Sequence, residues 1–254
     1  MADTLPHAHT LTIDEPKLEA LDAGRERLIV ALDYSSAKAA LELTERLAGQ
    51  CRWFKVGLEL YVAAGPAIVE MLAGRGYSVF LDLKLHDIPN TVAGAVKTVA
   101  RAGASLLTVH AGGGEAMLRA AAEAASGPDA PRLLAVTVLT SMDDAQLKAI
   151  GVHRSPAHQV ELLAKMGLDA GIHGFVCSPL EVASLRQITG PEGVLVTPGI
   201  RPADGTAGDQ KRIATPTEAL VQGANYLVVG RPITQAANPG QAAEAILEEM
   251  AAVV

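Results

Sequence analysis

The chain has 254 residues, 49% hydrophobic and 19% charged, with 21 Lys and Arg against 28 Asp and Glu for a formal net charge of -7. That length suits a single α/β barrel, and the balance excludes a disordered chain, a basic nucleic-acid face and a polybasic membrane patch, leaving small molecules as the expected partners. The two cysteines, Cys51 and Cys177, lie far apart without a CxxC pair, so neither a disulfide framework nor a zinc site is expected and a reducing, cytoplasmic compartment fits.

Residues 1–24 lack the apolar core of a signal peptide and carry several acidic residues, so they read as an N-terminal extension to a barrel domain over 25–254. No run of about twenty apolar residues follows, and no membrane span is expected. From Arg25 onward, short apolar or β-branched runs alternate with Ala/Leu/Glu-rich segments of helical period, the pattern of repeated βα units. Strands are expected at about Leu28–Asp33, Trp53–Val56, Val79–Lys84, Leu106–His110, Leu133–Leu139, Gly174–Cys177, Val194–Thr197 and Tyr226–Gly230. Cap and stop residues frame the helices between them, as in SPLEVASLRQITG and in TPTEAL, where Thr215, Pro216 and Glu218 have capping-box spacing. An open doubly wound sheet would give the same alternation. With no GxGxxG or GxxxxGK[ST] after any strand, closure into a (β/α)8 barrel is favoured.

In a barrel the working face lies at the C-terminal ends of the strands. Polar residues gather there: Asp33 after the first run, Lys55 in the second, Asp82 and Lys84 in the third, His110 on the fourth, Thr140 after the fifth, Arg201 after the seventh and Arg231 after the eighth. Residues two apart share a face, so an alternating Asp/Lys array is expected in the barrel mouth. Such an array is either an ion-pair plug or a catalytic site, and the third carboxylate, Asp87, tilts the balance toward catalysis. The loop TPGIRPADGTAGDQKR and the segment VVGRPI follow the last two expected strands, where barrels commonly hold phosphate; Arg201, Gln210, Gly230 and Arg231 would grip a phosphate monoester there. AGGGEAM at Ala111 reads as a tight turn into a helix, His110 as a wall residue, and His86 as facing the mouth or holding its loop. His7, His9, His153, His158 and His173 form no metal-spaced set, so no metal is expected.

The segments LIVALD, FKVGLE, FLDLKLHDIPNTV, TVHAGGG, AVTVLTSM, LVTPGIRP, GDQKRIATPTEAL and VVGRPIT, in this order from about Arg27 onward, resemble the bacterial orotidine 5'-monophosphate decarboxylase family. The resemblance implies a lyase of pyrimidine biosynthesis that converts orotidine 5'-monophosphate (OMP) to UMP and CO2 without a cofactor, as a homodimer with shared sites. It implies Lys84 as the proton donor to C6, Asp82 beside the departing carboxylate, and Lys55 and Asp33 completing the array and contacting ribose. Asp87, Ile88 and Thr91 would reach the partner's site, and Thr140, with Ser141 beside it, would contact the base. Arg201, Gln210, Gly230 and Arg231 match the phosphate grip. The alternatives are a Mg-dependent sugar-phosphate decarboxylase or aldolase of the same superfamily, which shares DxKxxD, and a non-catalytic phosphate-binding barrel. The sequence carries no identifiable thiamine, pyridoxal or metal signature, so placed charges are expected to supply the stabilisation.

Overall fold

The computed structural model describes residues 15–202 and 213–253. Eight parallel strands close into a barrel in chain order: β1 (Leu28–Ala31), β2 (Trp53–Gly57), β3 (Ser78–Leu85), β4 (Leu106–His110), β5 (Arg132–Val136), β6 (Gly174–Val176), β7 (Val194–Thr197) and β8 (Tyr226–Val229). Pairing of Leu28, Ile29 and Val30 with Leu227, Val228 and Val229 completes the ring, so the expected (β/α)8 barrel is present and the open sheet is not. Among the described residues no helix is long and apolar enough to cross a membrane.

The two-residue period of a strand sorts its side chains between two cores. Leu28, Val30, Phe54, Val56 and Leu107 join the layer between strands and helices. Ile29, Trp53, Phe80, Leu106, Leu134 and Val196 fill the barrel interior. Along the interior positions the chemistry changes toward the C-terminal ends: Ile29 and Ala31 lead to Asp33, Trp53 to Lys55, Phe80 to Asp82, and Leu106 to Thr108 and His110. Apolar side chains therefore seal the lower barrel and charged ones collect at its mouth.

Several strand ends differ from expectation. β1 stops at Ala31 and β5 at Val136, where the last paired rungs are Ala31 with Lys55 and Val136 with Val176; beyond Ala31 one further bond runs from the Leu32 N–H to the Lys55 carbonyl. Asp33 and Thr140 thus stand on the loops, free of ladder constraints. β3 runs further, to Leu85, by way of a bulge. The capping box at Thr215 is present as read: its hydroxyl accepts from the Glu218 N–H, the Glu218 carboxylate accepts from the Thr215 N–H, and Pro216 opens the helix Pro216–Val221. Within the expected extension, Glu15–Arg25 is a helix on the helix Pro239–Ala251, where Gly24 is buried so close to Leu247 that a Cβ would stand 3.3 Å from its Cδ2.

Candidate active site

Four charged side chains from the first three strands and their ends form one chain of ion pairs. Lys55 Nζ lies 3.0 Å from Asp33 Oδ1 and 3.9 Å from Asp82 Oδ2, and Lys84 Nζ donates to both Asp82 oxygens at 2.8 Å. The formal charges cancel, as they must where water is scarce: side-chain exposure is 12% for Lys55, 15% for Asp82 and 31% for Lys84, against 60% for Asp33 at the rim. Gly57 makes room for the outer pair, since a Cβ there would stand 2.8 Å from Lys55 Nζ.

The bulge in β3 sets the inner pair. Leu81 pairs with Leu107 and Leu85 with Val109, so Asp82, Leu83 and Lys84 together face Thr108. Lys84 absorbs the extra length by turning left-handed, at φ 51°, the one such non-glycine among the described residues. That conformation costs a residue with a Cβ about 1–2 kcal/mol and is found where surrounding contacts over-determine it. Asp82 and Lys84 share the barrel mouth, as their two-residue spacing leads one to expect, but they do so across a bulge and not along a regular strand. Thr108 spans the bulge, accepting from the Lys84 N–H at 2.8 Å and donating to Asp82 Oδ1 at 3.0 Å.

Two adjoining cavities open above the array. One, of about 160 Å³, has Lys55, Asp82 and Lys84 on one side and Phe80, Val136, Val138, Leu139 and Val176 among its apolar walls, with Thr140 at its edge. The other, of about 470 Å³, is lined by Asp33, Lys55, Arg201, Gly230, Arg231, Thr234 and Gln235 among others. Lys55, Pro198 and Val228 border both, so the two form one cleft with an apolar slot beside the array and a cationic end past it. Such a cleft fits a flat, partly apolar group tethered to an anion. Cys177 also lines the slot, but burial pushes its thiol up to about 12, leaving it an unreactive packing residue.

The structure thus brings together Asp33, Lys55, Asp82, Lys84, Thr140, Arg201, Gly230 and Arg231. It does not bring Asp87, Ile88 and Thr91 into the cleft. All three are exposed, around the start of the helix Pro89–Arg101, where Asp87 Oδ1 accepts from the Ile88 N–H at 2.6 Å. Gln210 lies outside the described residues. His110 accepts the Gly112 N–H on Nδ1 and stacks on His86 with ring centroids 5.1 Å apart; burial, then His86 and Lys84, hold it below the ordinary histidine value. Sequence reasoning missed Thr108, Thr234 and Gln235. Thr108 was detectable as a polar residue at an interior position between Leu106 and His110. Thr234 and Gln235 follow GRPI on a short helix whose direction the sequence does not reveal.

Barrel, charged array and cleft at the strand ends define an enzyme of the (β/α)8 class acting on small molecules. A family model described as orotidine 5'-phosphate decarboxylase / HUMPS family matches residues 26–246, and the chain belongs to that family. It is 52% identical over 227 residues to the orotidine 5'-phosphate decarboxylase of Paramagnetospirillum magneticum, covering 87% of this chain and 97% of the relative. It is 50% identical over 233 residues to the enzyme of that name from Moorella thermoacetica, covering 89% and 92%. The crystal structure of orotidine 5'-phosphate decarboxylase from Lactobacillus acidophilus superposes with a TM-score of 0.78 at 40% identity, covering 89% of this chain and 99% of that one.

Proposed function

We propose that the protein decarboxylates OMP to UMP and CO2 in pyrimidine biosynthesis, with the array as its reacting centre. The observation that carries this is the cleft itself: Lys84 and Asp82 at the apolar end, Arg201 and Arg231 at the other. A pyrimidine fits the slot, with its ribose against Asp33 and Lys55 and its phosphate on the arginines and the Gly230 N–H.

On this reading the C6–carboxylate bond breaks, its electron pair stays on C6, and the Lys84 ammonium delivers a proton to that carbon. Solvent then reprotonates the amine. Fixed charges held in place before the reaction need no reorganisation as the carbanion develops. Asp82 holds the ammonium and crowds the substrate carboxylate, which CO2 loss discharges. The distant arginines bind a group that does not react, so their binding energy can be used to desolvate and hold the reacting end.

The exposed trio is assigned to a second copy: Ile88 leaves 67% of an apolar residue in solvent beside Asp87, outside the cleft of its own chain. In a two-fold dimer that segment reaches the partner's mouth, and Asp87 and Thr91 complete its site. Residues 25–254 form the catalytic barrel, with 1–24 an extension outside the chemistry; the helix Glu15–Arg25 ends at the start of β1, opposite the strand ends. The cytoplasm suits the two free, buried cysteines.

The test is the loss of OMP absorbance and release of CO2 with purified protein in EDTA. Turnover in EDTA supports the assignment. No turnover of OMP, with EDTA-sensitive turnover of a sugar phosphate, would replace it by the Mg-dependent reaction of the superfamily.

A further inference from the structure

We infer that Thr108 is a positioning residue for the proton donor, an inference that rests on the decarboxylase reading of the cleft. Thr108 sits in the middle of β4, fully buried, at the interior position that faces the β3 bulge. A regular parallel ladder would give the Lys84 N–H a backbone carbonyl as acceptor. Here the register jumps from Leu81–Leu107 to Leu85–Val109, and the Lys84 N–H is taken up by the Thr108 hydroxyl at 2.8 Å.

A hydroxyl has one proton to give. With its oxygen facing the Lys84 N–H, that proton is directed to Asp82 Oδ1, 3.0 Å away. One side chain therefore holds both partners of the reacting pair: the lysine through its left-handed backbone, the aspartate through its carboxylate. The ammonium closes the loop by donating to both Asp82 oxygens at 2.8 Å. Removing the hydroxyl leaves a buried N–H without its acceptor and takes one of the contacts from Asp82 Oδ1, so that the carboxylate is held by the two ammonium groups alone, while the arginines, Asp33 and Lys55 keep their places. Such a lesion acts on the chemical step and spares binding.

Three variants separate the hydroxyl from the rest of the side chain. Thr108→Val keeps shape, β-branching and burial; Thr108→Ser keeps the hydroxyl and loses the methyl; Thr108→Ala loses both. The expected result is a kcat for OMP about 10- to 100-fold lower in Thr108→Val, matching the cost of unpaired buried polar groups. KM and the UMP dissociation constant should move less than about threefold, and Thr108→Ser should retain kcat within about threefold, the split that marks loss of a transition-state interaction. If Thr108→Val does not fold, the contrast of Ser with Ala carries the same comparison, a tenfold lower kcat in Ala being the supporting result. Equal kcat in Val and wild type, or equal losses in Val and Ser, would overturn the inference and assign Thr108 to packing alone. A wild-type protein that releases no CO2 from OMP rejects the decarboxylase reading and this inference with it, whereas an active wild type with an equally active valine variant rejects only the role of Thr108.

Discussion

Replacing Lys84 by glycine and by alanine tests whether the left-handed backbone at φ 51° is real strain held for function. Both substitutions delete the ammonium and its contacts with Asp82, so the loss of the ion pair is common to both and cancels in the comparison. What remains is one Cβ in a conformation that costs about 1–2 kcal/mol for an L-residue and little for glycine. Against this, glycine gives the unfolded chain more freedom and costs about 0.4–1 kcal/mol relative to alanine. At the middle of both ranges the difference leaves Lys84→Gly more stable than Lys84→Ala by about 0.8 kcal/mol, the reverse of the usual order within a strand. Urea midpoints at a common m-value measure it directly, and a thermal shift of about 1–4 °C in favour of glycine should accompany it. Both variants should lack turnover yet bind UMP, since the arginine end is untouched. An alanine variant as stable as the glycine variant, or more so, would show that residue 84 carries no such strain and that the bulge does not depend on its left-handed turn.

Arg231→Ala should raise KM for OMP about 10- to 100-fold, the loss of charge-assisted hydrogen bonds worth about 1.5–3 kcal/mol; an unchanged KM removes Arg231 from the anion end of the cleft. Mixing Lys84→Ala and Asp87→Ala chains under subunit exchange should restore about a quarter of wild-type activity, because about half the dimers are mixed and each of those holds one intact site of two. Verified exchange without recovery rejects the shared site. His110, whose pKa lies below its ordinary 6.5, contributes stability that is fully present above that pH and is lost as pH falls toward the lowered folded value, where the unfolded chain takes up the proton first. The stability advantage of wild type over His110→Gln, which keeps an acceptor for the Gly112 N–H, should therefore shrink between about pH 7 and pH 5; a difference that does not vary with pH refutes the burial of neutral His110.

The barrel was legible because strand and helix periods leave separate traces, and the residues ending each apolar run, Asp33, Lys55, Asp82 and Arg231 among them, collect at one face by topology alone. The cap at Thr215 was legible for a local reason: its hydrogen bonds close within four residues. The bulge was not. A left-handed lysine has no compositional mark, and the group that takes up its N–H lies on another strand, the Thr108 hydroxyl 24 residues away. Thr234 and Gln235 escaped for a similar reason, since their place in the cleft depends on how the short helix after Gly230 is aimed. Asp87, Ile88 and Thr91 show the opposite limit. Only the family resemblance assigns them to a partner's site, and a single chain leaves them in solvent.

Lys55 ties the two halves of the cleft together. It borders both cavities, pairs with the mostly exposed Asp33 at 3.0 Å, and stands 3.9 Å from Asp82 on the reacting side. In the open cleft, water screens the outer pair, and the ammonium divides its field between two carboxylates. A ligand seated over Asp33 removes that water, and the same charges at the same separation attract more strongly as the effective dielectric falls. Asp82 has the firmer partner in Lys84, at 2.8 Å to both oxygens, so a stronger hold on Lys55 by Asp33 leaves the Asp82–Lys84 pair as a separate unit facing the slot. On the proposed reading, a ligand bound at the Asp33 end would thus tighten the outer pair and leave Asp82 to Lys84, through one lysine held between two aspartates.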